Sequence, residues 1–255
     1  MMHLPVRITA TFLLASLYSG CNLFIPKATT PISTQTYPAI SATTPKSKAL
    51  MIMLPGIGNR ASAFADKGFI AELQAQHPNM EIITAEAHFG YYKERTVTTR
   101  LKEDIIKPAQ QQGYNSIWLT GTSLGGFGSL LYTMEHPQDI AGIIAIAPYL
   151  GDKKLIADIS QAPSLQQWAR NYQGNDEIAL SLWIPLIQKS CEAKNLNLIL
   201  ATGSEDKFIK AHKLLAQCLP ASNVHITHGK HRWGTWNTLW QNILNEKPSF
   251  TKRAH

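Results

Sequence analysis

Six short apolar runs alternate with helical patterns along the chain, and this alternation restricts the possible folds more than any other feature. The first run, Ala-Leu-Met-Ile-Met-Leu at residues 49–54, is apolar at every position. Such runs are typical of strands that are buried on both faces in a parallel sheet. The pattern therefore predicts a doubly wound α/β sheet, with strands at residues 49–54, 80–85, 116–120, 141–147, 196–201 and 224–227.

The segments between these runs carry helical periodicity, which predicts helices at residues 61–76, 95–112, 124–135, 207–218 and 236–245. One folded domain is expected over residues 49–246, followed by a C-terminal tail at 247–255. Residues 148–193 are too many for an ordinary connection between two strands. We expect them to form a lid-like excursion over the ligand-binding edge of the sheet.

The N-terminal segment has the composition of an export signal. Residues 1–20 contain Arg7, no acidic residue, and an apolar run at 8–17. This run is shorter than the ~20 residues that a membrane-spanning helix needs, so a signal peptide is predicted. Residues 21–48 are rich in Thr, Ser and Pro, which is typical of a solvated tether.

The charged residues exclude some functional classes. The formal net charge is +7, but the Lys and Arg residues are scattered rather than clustered as a nucleic-acid-binding surface requires. The positive excess suits contact with an anionic membrane or cell-wall surface instead. The three cysteines form no C-x-x-C motif, so neither a metal site nor any other cofactor is expected.

A G-x-S-x-G motif lies between a predicted strand and a predicted helix. The motif runs from Gly121 to Gly125 and places Ser123 at the turn. In this setting the turn exposes the serine hydroxyl above the sheet, as a nucleophile requires. The alternative interpretation is the glycine-rich start of an ordinary helix.

Together with the residues that follow it, this motif resembles the α/β-hydrolase family over nearly all of residues 49–245. The resemblance implies a Ser, acid, His order along the chain and an acidic residue in the loop after the strand at 196–201. Asp206 occupies that loop, and Glu205 and Asp152 are the alternatives. Asp206 would also suit the N-terminal cap of the following helix.

By the same resemblance, the catalytic histidine follows the last strand. His231 matches that position, and His228 is its rival. The spacing of His225, His228 and His231 also admits a metal site, but no acidic residue or cysteine lies nearby in the sequence to complete it. We therefore expect a Ser123–His231–Asp206 triad and no metal.

An oxyanion hole needs two backbone N–H groups that face the reacting carbonyl. Leu124 supplies one by its position after Ser123. The second is assigned to Ile57, next to Gly58, in the loop after the first strand, although a simple turn explains these glycines equally well.

Aromatic residues near the same edge suggest an apolar acyl-binding pocket. We predict substrate contacts for His88, Tyr91 and Tyr92 in the loop after the second strand, and for Trp168 in the 148–193 excursion. Packing within the lid is the alternative explanation for each of them.

The segment Leu17-Tyr18-Ser19-Gly20-Cys21 resembles the lipobox of bacterial lipoproteins, with Tyr18 where leucine is usual. The resemblance implies that Cys21 is lipidated and becomes the mature N-terminus, while plain secretion and an uncleaved anchor are the alternatives. Asn22 differs from the aspartate that retains many such proteins at the inner membrane. An anchor at the outer membrane, facing the periplasm, is therefore expected.

The other two cysteines are predicted to pair. Cys191 lies just before the strand at 196–201, and Cys218 ends the helix that returns to the same edge of the sheet. Export would expose both thiols to an oxidising compartment, which favours a disulfide. Two buried free thiols are the alternative.

These observations predict a lipid-anchored, monomeric serine hydrolase that cleaves small-molecule or lipid carboxylic esters through an acyl-enzyme. The same residues would serve an acyltransferase, a thioesterase or an amidase. A catalytically silent hydrolase fold that acts as an envelope interaction module is the alternative from a different class.

Overall fold

The computed structural model describes residues 25–41 and 48–250 and contains a seven-stranded sheet with the order β1-β3-β2-β4-β5-β6-β7. Neighbouring strands are parallel, except that β1 is antiparallel to β3. Helices lie on both faces, which confirms the predicted doubly wound architecture. The strands are β1 Thr34–Tyr37, β2 Lys48–Leu54, β3 Glu81–Ala85, β4 Tyr114–Thr122, β5 Gly142–Ile146, β6 Leu198–Gly203 and β7 Val224–Thr227.

Each of the five segments predicted as helices is helical, one of them with a break, and four further helices of the described residues lie outside these segments. The segment predicted as a helix at 61–76 is two helices, because Gly68 adopts a left-handed φ of 85° between them. The helices are α1 Ala63–Asp66, α2 Phe69–Gln76, α3 Phe89–Lys93, α4 Val97–Leu101, α5 Lys107–Gln111, α6 Leu124–Glu135, α7 Lys153–Gln161, α8 Leu165–Asn171, α9 Ile184–Ile187, α10 Ile209–Ala216 and α11 Trp233–Asn245. Among the described residues, none of these helices has the length and apolar character needed to cross a bilayer.

Each face of the sheet has its own apolar core, because side chains alternate along a strand. In β2, Leu50 and Ile52 belong to the core that α4 to α10 cover. Met51 and Met53 belong to the opposite core, which α1, α2 and α11 cover. This double coverage explains why β2 is apolar at consecutive positions.

Part of the predicted tether belongs to the folded domain, which corrects its N-terminal boundary. Thr34–Tyr37 forms the edge strand β1 and pairs with β3. Ile32 is buried in the core, and its backbone N–H donates to the Asp104 carboxylate. The composition of this segment did not predict β1, because an edge strand has only one neighbour and its four residues are largely exposed.

The segment at 148–193 is helical and packs into the core rather than standing apart as a lid. It contains α7, α8, α9 and two π-helical turns, Ala179–Trp183 and Gln188–Glu192. Trp183 is fully buried, and its indole N–H donates to the carbonyl oxygen of Leu150. The segment therefore contributes to the stability of one sheet face.

The structure contains the predicted disulfide between Cys191 and Cys218, whose Cα atoms are 4.4 Å apart. It joins the last π-helical turn of the inserted segment to the residues that follow α10. The bond closes a loop with a sequence separation of 27 residues.

Removing this disulfide with the double variant Cys191→Ala/Cys218→Ala is expected to lower the free energy of unfolding by about 3 to 4 kcal/mol, because the unfolded chain regains its loop entropy. Urea unfolding of the variant and of the wild type, each with and without reductant, checks this. Reduction should destabilise only the wild type, and an unchanged midpoint would contradict the prediction.

Candidate active site

Ser123 lies at a strained turn between β4 and α6. Its φ of 53° and ψ of −113° are unusual for a residue with a side chain, and such strain costs about 1 to 3 kcal/mol. Backbone hydrogen bonds offset this cost: the Ser123 N–H donates to Ile146, and its carbonyl oxygen accepts from Phe127 and Tyr149. The motif therefore forms the strained strand-to-helix turn that the sequence predicts.

Two glycines of the motif allow the close approach that this turn requires. A Cβ on Gly125 would overlap the carbonyl oxygen of Leu54 at the end of β2. A Cβ on Gly121 would overlap the backbone of Gly125. Only glycine at these positions lets α6 begin directly above β2 and β4.

Three predicted residues form a continuous row of hydrogen bonds. His231 Nε2 lies 2.9 Å from Ser123 Oγ, and His231 Nδ1 lies 2.7 Å from Asp206 Oδ2. An ionised carboxylate can only accept, so Nδ1 carries the proton and Nε2 accepts from the serine hydroxyl. Ser123 is 6% exposed, and the His231 side chain is 13% exposed. The row can therefore move a proton from the serine to the imidazole.

Asp206 is fixed by the loop after β6. Its Oδ1 accepts from the backbone N–H of Phe208 at 2.9 Å, which leaves Oδ2 for His231. Burial alone would raise the pKa of the Asp206 carboxyl. The hydrogen bonds from His231 and Phe208 outweigh burial and hold this pKa below its usual range. The carboxyl is thus ionised at neutral pH.

Two aromatic rings fix the orientation of the His231 ring. Phe208 and Trp236 each meet it nearly edge-on, with ring centroids 5.1 Å away. The histidine loop is also held against the Asp206 loop, because the Glu205 N–H donates to the Gly229 carbonyl oxygen. Sequence reasoning did not assign Phe208 or Trp236 to the site, although both lie within five residues of a predicted triad member.

The two predicted oxyanion donors lie beside Ser123. The N–H of Leu124 is in the first turn of α6, and that of Ile57 is in the turn after β2. Neither donates to another described residue. A Cβ on Gly56 would lie 3.3 Å from the Ser123 Cβ, so the Ile57 turn is close to the serine. Both N–H groups are free for a ligand.

The alternatives to the triad residues have other partners. Asp152 caps α7, where it accepts from the Leu155 N–H. His228 is 86% exposed on its side chain and lies 3.5 Å from Glu205. His225 faces Glu246, so the three histidines approach three different carboxylates rather than one point.

Tyr91 does not contact substrate, and that prediction is wrong. It is 1% exposed, and its hydroxyl oxygen lies 2.8 Å from the Thr29 hydroxyl and accepts from the Thr29 N–H. The residue ties the N-terminal segment to α3. Its role was hidden in the sequence because Thr29 lies 62 residues away in a segment predicted to be solvated.

His88 and Trp168 also have structural partners. His88 caps α3, with Nδ1 accepting from the Gly90 N–H. Trp168 is largely buried in the inserted segment, and its Nε1–H donates to Asp158. These contacts give both residues a structural role, and their contact with substrate stays a prediction.

Tyr92, the fourth predicted contact, belongs to a row of half-buried aromatic rings that ends at His231. The centroid distances are 6.1 Å for Tyr92–Phe127, 6.0 Å for Phe127–Tyr149, 5.4 Å for Tyr149–Phe208 and 5.1 Å for Phe208–His231. Together the rings form an aromatic wall on one side of His231. This wall was not predicted, because its members come from four separate loops and helices.

A second buried histidine supports the site from α10. His212 Nε2 donates to the Pro148 carbonyl oxygen at 2.8 Å, and its Nδ1 lies 2.6 Å from the Thr202 hydroxyl. Burial lowers the pKa of His212, and the His231 charge lowers it further. The hydrogen bond to Pro148 and the Asp206 charge act in the opposite direction but are outweighed. The folded protein therefore holds this imidazole neutral.

Acidification is expected to destabilise the fold through His212. Between the lowered pKa of the folded state and about 6.5, the unfolded chain binds a proton that the folded chain does not, so stability falls as the pH decreases. Urea unfolding across this range should give a shallower pH dependence for His212→Gln than for the wild type. Burial also lowers the pKa of His77. This histidine is present in both proteins and contributes equally to the pH dependence of each.

His228→Gln, at an exposed ring, is the matched control for loss of an imidazole. An unchanged pH dependence in His212→Gln would contradict the assignment.

The comparisons with known proteins concern the fold. No protein-family model matches the chain, and no curated protein matches it in sequence. An S-formylglutathione hydrolase from Agrobacterium tumefaciens has a TM-score of 0.56 and 14% identity, covering 88% of this chain and 92% of that chain.

Two further solved structures have a fold similar to that of this chain. The fluorophosphonate-binding serine hydrolase F of Staphylococcus aureus has a TM-score of 0.54 and 12% identity, covering 85% of this chain and 98% of that chain. A monoacylglycerol lipase from Paleococcus ferrophilus has a TM-score of 0.53 and 13% identity, covering 85% and 97% of the two chains. The chain therefore has the α/β-hydrolase fold.

Proposed function

We propose that this protein is a serine hydrolase that cleaves carboxylic esters through an acyl-enzyme. The observation that carries the proposal is the row of hydrogen bonds from Ser123 through His231 to Asp206, with the serine on a strained elbow. The solved structures with the same fold include hydrolases and a lipase, which supports this reaction class.

In the proposed reaction, His231 mediates each proton transfer. Ser123 Oγ attacks the ester carbonyl carbon while its proton passes to His231 Nε2. The Ile57 and Leu124 N–H groups stabilise the negative charge that forms on the carbonyl oxygen. The tetrahedral intermediate then expels the alkoxide, which takes the proton from Nε2, and leaves the acyl group on Ser123.

Water completes the cycle in the same way. It attacks the acyl carbonyl carbon and gives a proton to His231 Nε2, and the second intermediate collapses to release the acid and return the proton to Ser123 Oγ. Throughout, Asp206 keeps the proton on Nδ1 and stabilises the imidazolium. No step needs a metal or a cofactor as the reaction is written.

The aromatic wall suggests which substrates fit. Its half-buried rings present apolar surface beside His231, which suits an acyl chain or an aromatic group. We propose that esters with such groups are better substrates than acetates. The same triad would cleave thioesters or amides, and the assay below separates these reactions.

A fluorophosphonate probe and a substrate panel test the proposal. The full chain is expected to be labelled on Ser123 and to hydrolyse 4-nitrophenyl esters of graded acyl length faster than the matched thioesters and anilides. Absence of both labelling and hydrolysis would favour a catalytically silent fold. Faster cleavage of the thioesters would change the substrate class but keep the triad.

We also propose that the protein is anchored in the outer membrane by a lipid on Cys21, which lies outside the described residues. The short apolar run before Ser19-Gly20-Cys21 supports this, and the net charge of +7 suits an anionic surface.

Wild-type protein is expected to partition into detergent, whereas Cys21→Ser should remain an unprocessed precursor or move to the aqueous phase. Mass spectrometry of the mature N-terminus checks this. An unmodified N-terminus at another residue would contradict the anchor.

A further inference from the structure

A cleft of about 500 Å³ lies between α7 and α8 in the inserted segment. Its volume is in the range of about 300 to 1,000 Å³ that is usual for small-ligand sites. The end of α7, the exposed side of α8 and the turn after α8 form its walls. None of its lining residues belongs to the triad, the oxyanion donors or the aromatic wall.

Amide side chains dominate the polar lining of this cleft. Gln161 ends α7, Gln167 and Asn171 lie four residues apart on one side of α8, and Gln173 follows that helix. All four are exposed, and their amide groups make no hydrogen bond to another described residue. An amide offers an acceptor oxygen and a donor NH₂ side by side. Two neighbouring hydroxyl groups of a ligand can therefore pair with one amide.

An aromatic pair lies among these amides. The rings of Trp168 and Tyr172 are 5.0 Å apart, and both residues line the cleft. Asp158 holds the indole by accepting from its Nε1–H at 2.7 Å, and the Tyr172 hydroxyl accepts from the Asp176 N–H at 3.0 Å. These bonds fix both rings before any ligand arrives. Trp168 is 6% exposed, so the partly exposed Tyr172 ring, backed by Trp168, presents the aromatic surface that suits the apolar C–H faces of a sugar ring.

The charge of the lining excludes other ligand classes. Among the described residues that line the cleft there is no Lys or Arg, and Asp158 is the one ionisable acid. A phosphate, a nucleotide or an acidic polysaccharide would meet a carboxylate and no cation. The lining therefore favours a neutral ligand that has many hydroxyl groups and some apolar faces.

We propose that the α7–α8 cleft binds a neutral oligosaccharide. Because the ligand is held by the amides and the aromatic pair, binding is independent of Ser123 and of ester hydrolysis. The site would hold the protein on a neutral glycan, whatever the reaction at the triad.

Isothermal titration calorimetry with the full-length Ser123→Ala chain tests this without turnover. The probes are cellotetraose, maltotetraose and tetra-N-acetylchitotetraose, with tetragalacturonate as the anionic comparison and a proline-rich peptide as the protein comparison. At least one neutral sugar is expected to bind. Gln167→Ala/Asn171→Ala should weaken that binding by about tenfold, since it removes two amides that hydrogen-bond the sugar.

The matched control is Gln76→Ala/Gln217→Ala, which removes two exposed amides that do not line the cleft. This control should bind like the parent chain. Both double variants should melt at the parent's temperature, because none of the four side chains is buried. The proposal is overturned if no neutral sugar binds, if the α8 variant binds as tightly as the control, or if the acidic sugar or the peptide binds more tightly.

Discussion

Ser123→Ala is expected to reduce kcat for ester hydrolysis by about 10⁶-fold, the loss seen when a triad serine is removed. The substitution takes away the attacking oxygen, which among the described hydroxyl groups is the one hydrogen-bonded to His231. The fold should persist, because among the described residues the Ser123 side chain bonds to His231 alone and its backbone bonds remain. Initial rates, probe labelling and the melting temperature measure the three effects.

The two histidines of the same loop supply the control. His231→Ala should lose activity to a similar extent, because its imidazole receives the serine proton. His228→Ala should retain the wild-type kcat, since its exposed ring faces Glu205 and not Ser123. If the His228 variant is inactive and the His231 variant is active, the base has been assigned to the wrong residue.

The central strands and the turn at Ser123 could be predicted because their signals are local. β2 contains the continuous apolar run at residues 49–54, and the two cores on opposite faces of the sheet, which Leu50 and Met51 enter, confirm the double burial that this run indicates. Ser123 is marked by glycines that the turn needs for close approach. Asp206 and His231 were assigned through the resemblance to the α/β-hydrolase family, and both follow strands whose carboxyl ends meet at one edge of the sheet.

Features that depend on distant partners were missed. β1 exists because β3 offers it an unpaired edge, and nothing within Thr34–Tyr37 signals this. Tyr91 was predicted as a substrate contact because it follows a strand, but Thr29 buries its hydroxyl. In the same way, Asp158 and Tyr172 define the environment of Trp168. An aromatic residue beside a predicted site carries no local signal for which of its neighbours it will contact.

The second large effect is expected for Asp206→Asn, which should reduce kcat by about 10⁴-fold through a change of tautomer. Oδ1 accepts from the Phe208 N–H, so the asparagine oxygen will keep that position and place its NH₂ group toward His231. That NH₂ can only donate, which forces Nδ1 to accept and moves the imidazole proton to Nε2. A protonated Nε2 cannot take the proton from Ser123.

If the tautomer changes in this way, the loss of activity is confined to the chemical step. Asp206→Asn should lower kcat with little change in KM, and probe labelling should slow in proportion to kcat. Glu205→Gln is the matched control, because it neutralises the adjacent exposed carboxylate, which faces His228, and it should leave kcat unchanged. Asp152→Asn tests the other candidate acid, which caps α7. Full activity in Asp206→Asn, together with inactivity in Asp152→Asn, would transfer the role of triad acid to Asp152.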